Sequence, residues 1–235
     1  MTTVTSPIRP VRYWDGIPVP FITAWSKEQI PAQELVKVHR SSGTTVLGLR
    51  GETDLERQFG VSWMRMPATR GGQPQHGLVH ALRQRQAMSR LLCQLCGGPT
   101  VGTRKDEWTL FLAASADGHP LLSGERTESP PVHAVCARLS VEHCPPLRTR
   151  GWTAALVRRT PVWGVAGHVY DPLTLQRLPG APQHRDGMHR IPFTDSRRIR
   201  WTLAARLVIT LGDVVPVTDL EALADEETAV IRAVR

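Results

Sequence analysis

Four candidate metal donors occur in two tight pairs, and no other feature of the sequence restricts the fold so strongly. Two residues separate Cys93 from Cys96, and two residues separate His133 from Cys136. A pair with this spacing can curl into a knuckle that directs two lone pairs at one ion, and two pairs supply the four donors of a tetrahedral Zn²⁺ site. The gap between the pairs can hold a β-hairpin. The sequence therefore predicts a substructure built around a metal ion.

The donor types indicate which ion binds and what it does. Thiolates and imidazole suit Zn²⁺, which has no redox chemistry. Cys93, Cys96 and Cys136 are predicted ligands, with His133 as the fourth by spacing. Cys144 is the alternative fourth ligand, but it lies roughly 12 Å from Cys136 along a helix that rises about 1.5 Å per residue. Four protein ligands leave no position for water, so we expect a structural ion; buried cysteines without an ion are the alternative.

The segment before the first pair is the clearest helix in the sequence. From residue 78 to residue 92, apolar side chains recur at three- to four-residue spacing without Gly or Pro. Because this helix precedes Cys93, the Cys-x-x-Cys pair lacks the position at a helix N-terminus that a redox dithiol normally has. Arginines lie around the predicted polar side and could contact phosphate, although a solvated polar face explains them equally well. The candidate nucleic-acid-binding residues are Arg83, Arg85, Arg90, Arg197, Arg198 and Arg200.

Charge points to anionic partners. The 235-residue chain has a net charge of +8, which favours nucleic acid or a nucleoprotein as partner. Arg greatly outnumbers Lys, so the genome's composition is an equal explanation. No apolar run is long enough to cross a membrane, and the N-terminus lacks the layout of a secretory signal. We expect a cytoplasmic protein without membrane contact, whose cysteines are ligands or buried thiols.

The predicted fold class is α+β, with β-rich regions flanking a central helix and a zinc-stapled, treble-clef-like module. The regions are 1–77, which is β-rich; 78–150, with the helix and the zinc module; and 151–235, which is β-rich with an acidic helical tail. One continuous domain is the alternative. In the central region, strands at 108–113 and 120–126 form the predicted hairpin, and a short helix covers 134–143. The order of knuckle, hairpin, ligand pair and helix is that of a treble clef.

A second group of donors occurs in a loop of the C-terminal region. His184, Asp186 and His189 could form another metal site or an acid–base group, although loop histidines near Asp are common by chance. With His133, they are the residues that a metal-dependent hydrolase would use. The sequence has no Ser nucleophile elbow, Walker loop or dinucleotide glycine motif.

Three motifs carry a family resemblance. Residues 14–20, 91–99 and 144–147 resemble a group of uncharacterised actinobacterial proteins, some associated with phages or mobile elements, over roughly residues 11–215. In that group a Cys-x-x-Cys forms the second pair and another Cys follows eight residues later; here His133 replaces the first of these cysteines. The resemblance implies a zinc finger and no particular reaction. The first knuckle is also similar to the zinc cradle of HNH-type endonucleases, but their catalytic pair is not recognisable at residues 130–133.

Three functional hypotheses follow from these features. The leading one is a non-enzymatic zinc-binding protein that contacts nucleic acid or a nucleoprotein partner. The second is a metal-dependent hydrolase or nuclease of HNH-like type, and the third is a protein-interaction or phage-assembly component. Metal coordination separates the first two, because an ion with four protein ligands is structural and a water-ligated ion supports catalysis.

Overall fold

Strands from distant parts of the chain meet in two main sheets. The computed structural model describes residues 8–104, 106–115, 117–180 and 186–233. The strands are β1 (Arg12–Trp14), β2 (Ile17–Val19), β3 (Thr23–Trp25), β4 (Leu35–His39), β5 (Thr45–Leu49), β6 (Arg57–Gln58), β7 (Val61–Trp63), β8 (Pro74–Val79), β9 (Thr109–Ala114), β10 (Arg126–Thr127), β11 (Trp152–Arg159), β12 (Val162–Val169), β13 (His189–Pro192), β14 (Thr202–Thr210) and β15 (Gly212–Val217). The helices are α1 (Ala81–Ser89), α2 (Ala134–His143), α3 (Pro145–Arg150), α4 (Ser196–Ile199) and α5 (Leu220–Ala233), and a 3₁₀ turn covers Asp54–Glu56. Helices and sheets together confirm the α+β prediction.

The larger sheet is organised around β14. Its strand order is β13-β12-β14-β7-β6, and β10 also pairs with β14. The β14–β7 pair is parallel, and the other pairs are antiparallel. Most of β14 is buried, as is typical of a central strand covered on both faces. Helix α1 packs on β14, where the side-chain amide of Gln84 makes two hydrogen bonds of 2.9 Å with the backbone of Leu207.

The smaller sheet separates two apolar cores. Its order is β15-β11-β9. On β9, Leu110 and Leu112 belong to one core and Phe111 belongs to the other, because successive side chains of a strand point to opposite faces. The first core also contains Cys93 and parts of α2 and α5. Strand β9 thus forms a wall of the region in which the predicted metal donors lie.

The predicted hairpin between the two donor pairs is wrong. Strand β9 pairs with β11 and strand β10 pairs with β14, so the two strands are not hydrogen-bonded to each other. Residues 120–125 are not a strand, and most of them are exposed. The physical reason is that β11 pairs with β9 along its whole length, whereas residues 120–125 contain Pro120 and Gly124, which disfavour a strand.

The clearest predicted helix is shorter than expected at both ends. Helix α1 covers Ala81–Ser89, and the preceding residues Pro74–Val79, expected to be partly loop and partly helix, form β8 against β3. By contrast, helix α2 has the predicted bounds and α5 confirms the helical tail. The β1–β2 hairpin turns at Asp15 and Gly16, a residue pair typical of hairpin turns, with φ of 49° at Asp15 and 74° at Gly16.

All three sequence regions contribute strands to the larger sheet. The larger sheet takes β6 and β7 from region 1–77, β10 from region 78–150, and β12, β13 and β14 from region 151–235. The smaller sheet joins β9 to β11 in the same way across residue 150. In the described part of the chain, no helix has the length and apolar character required to cross a membrane.

Candidate metal centre

The two predicted donor pairs meet. The donor atoms of Cys93, Cys96, His133 and Cys136 all lie within 4.8 Å of one another. Nδ1 of His133 is 3.3 Å from Sγ of Cys96 and 3.9 Å from Sγ of Cys136. Zinc bonds of about 2.3 Å to sulfur and about 2.0–2.1 Å to nitrogen, in a tetrahedron, separate the donors by about 3.5–3.8 Å. This arrangement can hold a metal ion.

The first pair is presented by a short hairpin that follows α1. Leu92 and Pro99 form a bridge, and the N–H of Cys93 donates to the carbonyl of Gly98 at 2.7 Å. The N–H of Gly98 points to Sγ of Cys96 at 3.4 Å, which stabilises negative charge on that sulfur. Gly97 has a φ of 73°, and a Cβ at this position would lie 2.6 Å from the Phe21 ring. The knuckle therefore requires glycine at position 97.

The second pair is presented by the start of α2. His133 is the N-cap residue, with an extended backbone, and its side chain does not cap the helix. Its Nε2 lies 2.9 Å from the carbonyl oxygen of Pro99, so Nε2 carries the proton and donates it there. Nδ1 then faces the sulfurs, which is the position of the ligating nitrogen in metal-bound histidines whose other ring nitrogen is hydrogen-bonded. Cys136 lies in the first turn, where the helix dipole favours a thiolate.

The fourth member of the converging group is His133 and not Cys144. Helix α2 is continuous from Ala134 to His143, so Cys144 lies at its far end. Cys144 is partly exposed and does not belong to the donor group. The distance argument from the sequence is thus consistent with the observed geometry.

The four donor side chains are buried, so each one strongly affects the pKa values of the others. The four residues are between 0 and 7% exposed. Hydrogen bonding from Cys136 and Cys93 lowers the pKa of the Cys96 thiol, whereas the sulfurs of Cys93 and Cys96 raise the pKa of Cys136. Burial alone would lower the pKa of His133, but the same two sulfurs outweigh it and raise that pKa to about 11. The four donors therefore compete for protons. A divalent cation removes this competition because it displaces the protons from its ligands.

Neighbouring elements fix the donors in place. The N–H of Gln94 donates to the carbonyl of Pro131, and the N–H of Val132 donates to the carbonyl of Leu110, so residues 131–132 tie the knuckle to β9. On α5, the carboxylate of Glu227 is 2% exposed and accepts a 3.2 Å hydrogen bond from the N–H of Val135. Glu227 therefore caps the start of α2 that His133 leaves uncapped.

Two of the predicted nucleic-acid contacts lie inside the protein. Arg83 is 4% exposed; its guanidinium makes bonds of 2.7 and 2.6 Å to Glu28 and a third bond to the carbonyl of Thr23. Arg85 is 8% exposed, with its guanidinium 4.7 Å from the centre of the Trp63 ring. The expectation of an exposed basic side on α1 is wrong at these positions, because α1 is packed on both sides.

The other four predicted contacts are more accessible. Arg90, Arg197 and Arg198 are exposed, and Arg200 is partly buried, with Nε donating to the carbonyl of Ser196. One guanidinium nitrogen of Arg198 lies 3.1 Å from Nδ1 of His189. The structure does not gather these residues with Arg83 and Arg85 into one basic face.

In the second predicted group of donors, the two residues that the structure describes do not converge on a common point. His184 lies outside the described residues. The carboxylate of Asp186 pairs with Arg206 at 3.0 Å, and both ring nitrogens of His189 have partners, Nε2 at the carbonyl of Pro179 and Nδ1 at Arg198. Among the described residues, a cluster of three or more metal-donor side chains occurs at Cys93, Cys96, His133 and Cys136 alone.

A cluster of arginines beside the knuckle could not be found from sequence spacing. Arg9, Arg12 and Arg70 line a depression of about 440 Å³ that also touches Cys96. The guanidinium of Arg70 lies 5.3 Å from the centre of the Phe21 ring. Burial, together with the charges of Arg83 and Arg12, lowers the pKa of Arg70. Close cations of this kind attract an anion.

Comparison of the chain with protein-family models, with curated proteins and with solved structures finds no match in any of the three. The function is therefore inferred from the chemistry of the site itself.

Proposed function

We propose that this is a non-enzymatic zinc-binding protein in which one structural Zn²⁺, held by Cys93, Cys96, His133 and Cys136, fixes the knuckle against α2. We further propose that the module is treble-clef-like in its knuckle and helix, and that the protein contacts nucleic acid or a nucleoprotein partner. The observation that carries the proposal is the buried convergence of three sulfurs and one imidazole nitrogen.

The donor set supports zinc in a structural role. Three thiolates and one imidazole are a common zinc ligand set, and Zn²⁺ accepts their tetrahedral arrangement without a d-electron preference. Each of the four residues is nearly inaccessible to solvent, and four protein ligands leave no coordination position for a substrate or a water nucleophile. Zinc bound in this way contributes folding free energy, because the unfolded chain has no preformed site.

Charge supports the proposed partner. The chain carries a net charge of +8, and Arg9, Arg12 and Arg70 have no ion-pair partner among the described residues. They border the knuckle that the ion would hold in place. Arginine side chains suit phosphate because the guanidinium donates two parallel hydrogen bonds. Zinc would then set the position of a phosphate-binding surface.

Binding to nucleic acid is tested by its dependence on salt. We expect fluorescence anisotropy with labelled duplex DNA and single-stranded RNA to detect binding at about 50 mM salt, with an affinity that falls steeply as salt rises. The Arg9→Gln/Arg12→Gln variant is expected to bind more weakly and with a salt slope smaller by about 2, roughly one per lost phosphate contact. An Arg50→Gln variant is the matched control, because Arg50 is exposed and already paired with Glu34.

Two results would contradict the nucleic-acid proposal while leaving the zinc proposal intact. One is the absence of binding to either probe at low salt. The other is binding whose salt slope is the same in the Arg9→Gln/Arg12→Gln variant and in the Arg50→Gln control. Zinc content, measured on each preparation, shows whether the metal centre was present in the protein tested.

A further inference from the structure

A large cavity in the described part of the molecule has a lining that includes none of the four metal donors. It has a volume of about 730 Å³, within the range of about 300–1,000 Å³ that is common for small-molecule sites. One face of α1 forms a wall through Leu82, Arg85, Gln86 and Ser89, which share that face because they recur at helical spacing. The opposite wall comes from β7 and residues 64–67, and from the 3₁₀ turn.

A buried cation with an unsatisfied hydrogen-bond donor lines this cavity. Arg85 is 8% exposed, and its Nη1 has no hydrogen-bond partner among the described residues. The carboxylate of Glu56 in the same wall is already bound to the guanidinium of Arg65, by bonds of 2.6 and 3.1 Å. Burial lowers the pKa of Arg85. The Trp63 ring and the charge of Glu56 offset this burial only in part, and the unsatisfied Nη1 donor needs an explanation.

The rest of the wall indicates what would compensate this charge. The ionisable groups are three arginines and one glutamate, Arg65, Arg85, Arg90 and Glu56, so the cavity has a net charge of +2. Its other lining residues are largely apolar and include the thioethers of Met64 and Met66. A ligand that matches both properties has one anionic group and an apolar body.

The end of α1 at the cavity limits the charge of that anionic group. Gln86, Ser89 and Arg90 belong to the last turn and C-cap of the helix, where the negative end of the dipole opposes any anion and opposes a dianion more strongly than a monoanion. A carboxylate carries a single charge and matches the two parallel donors of a guanidinium. We infer that this cavity binds a small organic acid whose carboxylate accepts hydrogen bonds from Arg85 and whose apolar body lies against Leu82, Met64 and Met66.

The inference is tested by titration calorimetry with pairs of ligands that differ only in charge. The probes are indole-3-acetate, benzoate and octanoate, each with its neutral amide, and phenyl phosphate as the dianionic analogue of benzoate. We expect saturable binding of at least one carboxylate and binding at least about tenfold weaker for the corresponding amide. Arg85→Met is expected to abolish this binding, and Arg85→Lys, which keeps the charge without the planar fork, to weaken it.

A stability measurement separates a ligand-binding role from a packing role for Arg85. Arg85→Met keeps a flexible side chain beside Trp63 and removes the unpaired charge, so we expect its Tm to equal or exceed that of the wild type without ligand. Arg40→Met, at an exposed position outside the cavity, is expected to leave both binding and Tm unchanged.

Four results would overturn the inference. The first is a Kd weaker than about 1 mM for all three carboxylates, and the second is equal binding of the acids and their amides. The third is phenyl phosphate binding as tightly as benzoate. The fourth is unchanged carboxylate binding in Arg85→Met, or a lower Tm for that variant in the absence of ligand.

Discussion

Two buried histidines occupy equivalent positions and have different surroundings. His80 is the N-cap of α1, and His133 is the N-cap of α2. In each ring, Nε2 lies 2.8–2.9 Å from a proline carbonyl oxygen, that of Pro67 or of Pro99. Nδ1 of His80 then accepts the N–H of Arg83, at 3.4 Å, whereas Nδ1 of His133 faces sulfur. The same placement thus gives a helix cap in one region and a candidate metal donor in the other.

The two regions also differ in how their charge is balanced. Around His80, the carboxylate of Glu28 is 2% exposed and is neutralised by Arg83 of the same chain. Around His133, the described residues supply three thiols and no cationic side chain as a hydrogen-bond partner. The buried carboxylate near His80 is neutralised within the chain and requires no bound ion. The thiols near His133 require a bound cation to balance their charge when they ionise. This difference predicts which region depends on metal.

The largest effect is expected from removing one sulfur ligand. Cys136→Ser should lose stoichiometric zinc and the fold around α2, because a structural zinc contributes about 10–16 kcal/mol in small zinc domains, comparable with the whole stability of a typical domain. Zinc analysis and circular dichroism measure these outcomes. Cys144→Ser is the matched control and should retain both zinc and helicity. Equal behaviour of the two variants would contradict the ligand assignment.

The next largest effect is expected in the region around His80. Arg83→Met leaves Glu28 buried and unpaired, so it should lower the free energy of unfolding by about 3–5 kcal/mol without releasing zinc. Arg90→Met, on the exposed end of the same helix, should stay within about 0.5 kcal/mol of the wild type. Urea denaturation and zinc analysis check both. Zinc loss from Arg83→Met under native conditions would show that the two regions are not independent.

A smaller effect is expected from the shape of the knuckle. Gly97→Ala adds a Cβ both at a φ of 73° and against Phe21, whereas Gly102→Ala adds one at a φ of 77° with nothing within 4 Å. The left-handed conformation costs about 1–2 kcal/mol in each variant, and only Gly97→Ala adds the steric contact. We expect Gly97→Ala to be the less stable of the two and to recover partly when Phe21 is replaced by Leu. Equal losses would mean that Phe21 does not restrict the knuckle.

The smallest effect is a pH dependence at His80. Burial lowers the pKa of His80, so below about pH 6.5 the unfolded chain takes up a proton that the folded chain excludes. The stability associated with neutral His80 is full above that pH and is lost as pH falls. With excess zinc present, the free-energy difference between wild type and His80→Asn should therefore decrease between about pH 7.5 and 5.5. A constant difference would contradict a buried, neutral His80.

Local rules were sufficient to predict the donor groups and several elements. The two-residue spacing identified all four donors, and the proline-bounded segment after His133 gave the bounds of α2. The Asp15-Gly16 pair is a local turn signal at the position of the first hairpin. Each of these features depends on neighbours within a few positions, and such signals are present in the sequence itself.

Features that depend on distant partners could not be predicted. The burial of Arg83 depends on Glu28, 55 residues away, and an arginine on a helix has no local sign that distinguishes a buried ion pair from a solvated face. Strands β9 and β10 were expected to pair because they are near in sequence, but each pairs with a strand of the C-terminal region. Strand β8 lacked the usual signals because it contains Pro74 and Gly77.

Zinc K-edge X-ray absorption, combined with metal analysis of the purified protein, tests the comparison between the two histidines most directly. We expect one zinc per chain, with three sulfur ligands at about 2.3 Å and one nitrogen ligand at about 2.0–2.1 Å. In His80→Asn this spectrum should be unchanged, and in His133→Asn the nitrogen ligand should disappear. A wild-type spectrum with an oxygen ligand, fewer than three sulfurs, or no stoichiometric metal would contradict a closed zinc centre at these residues.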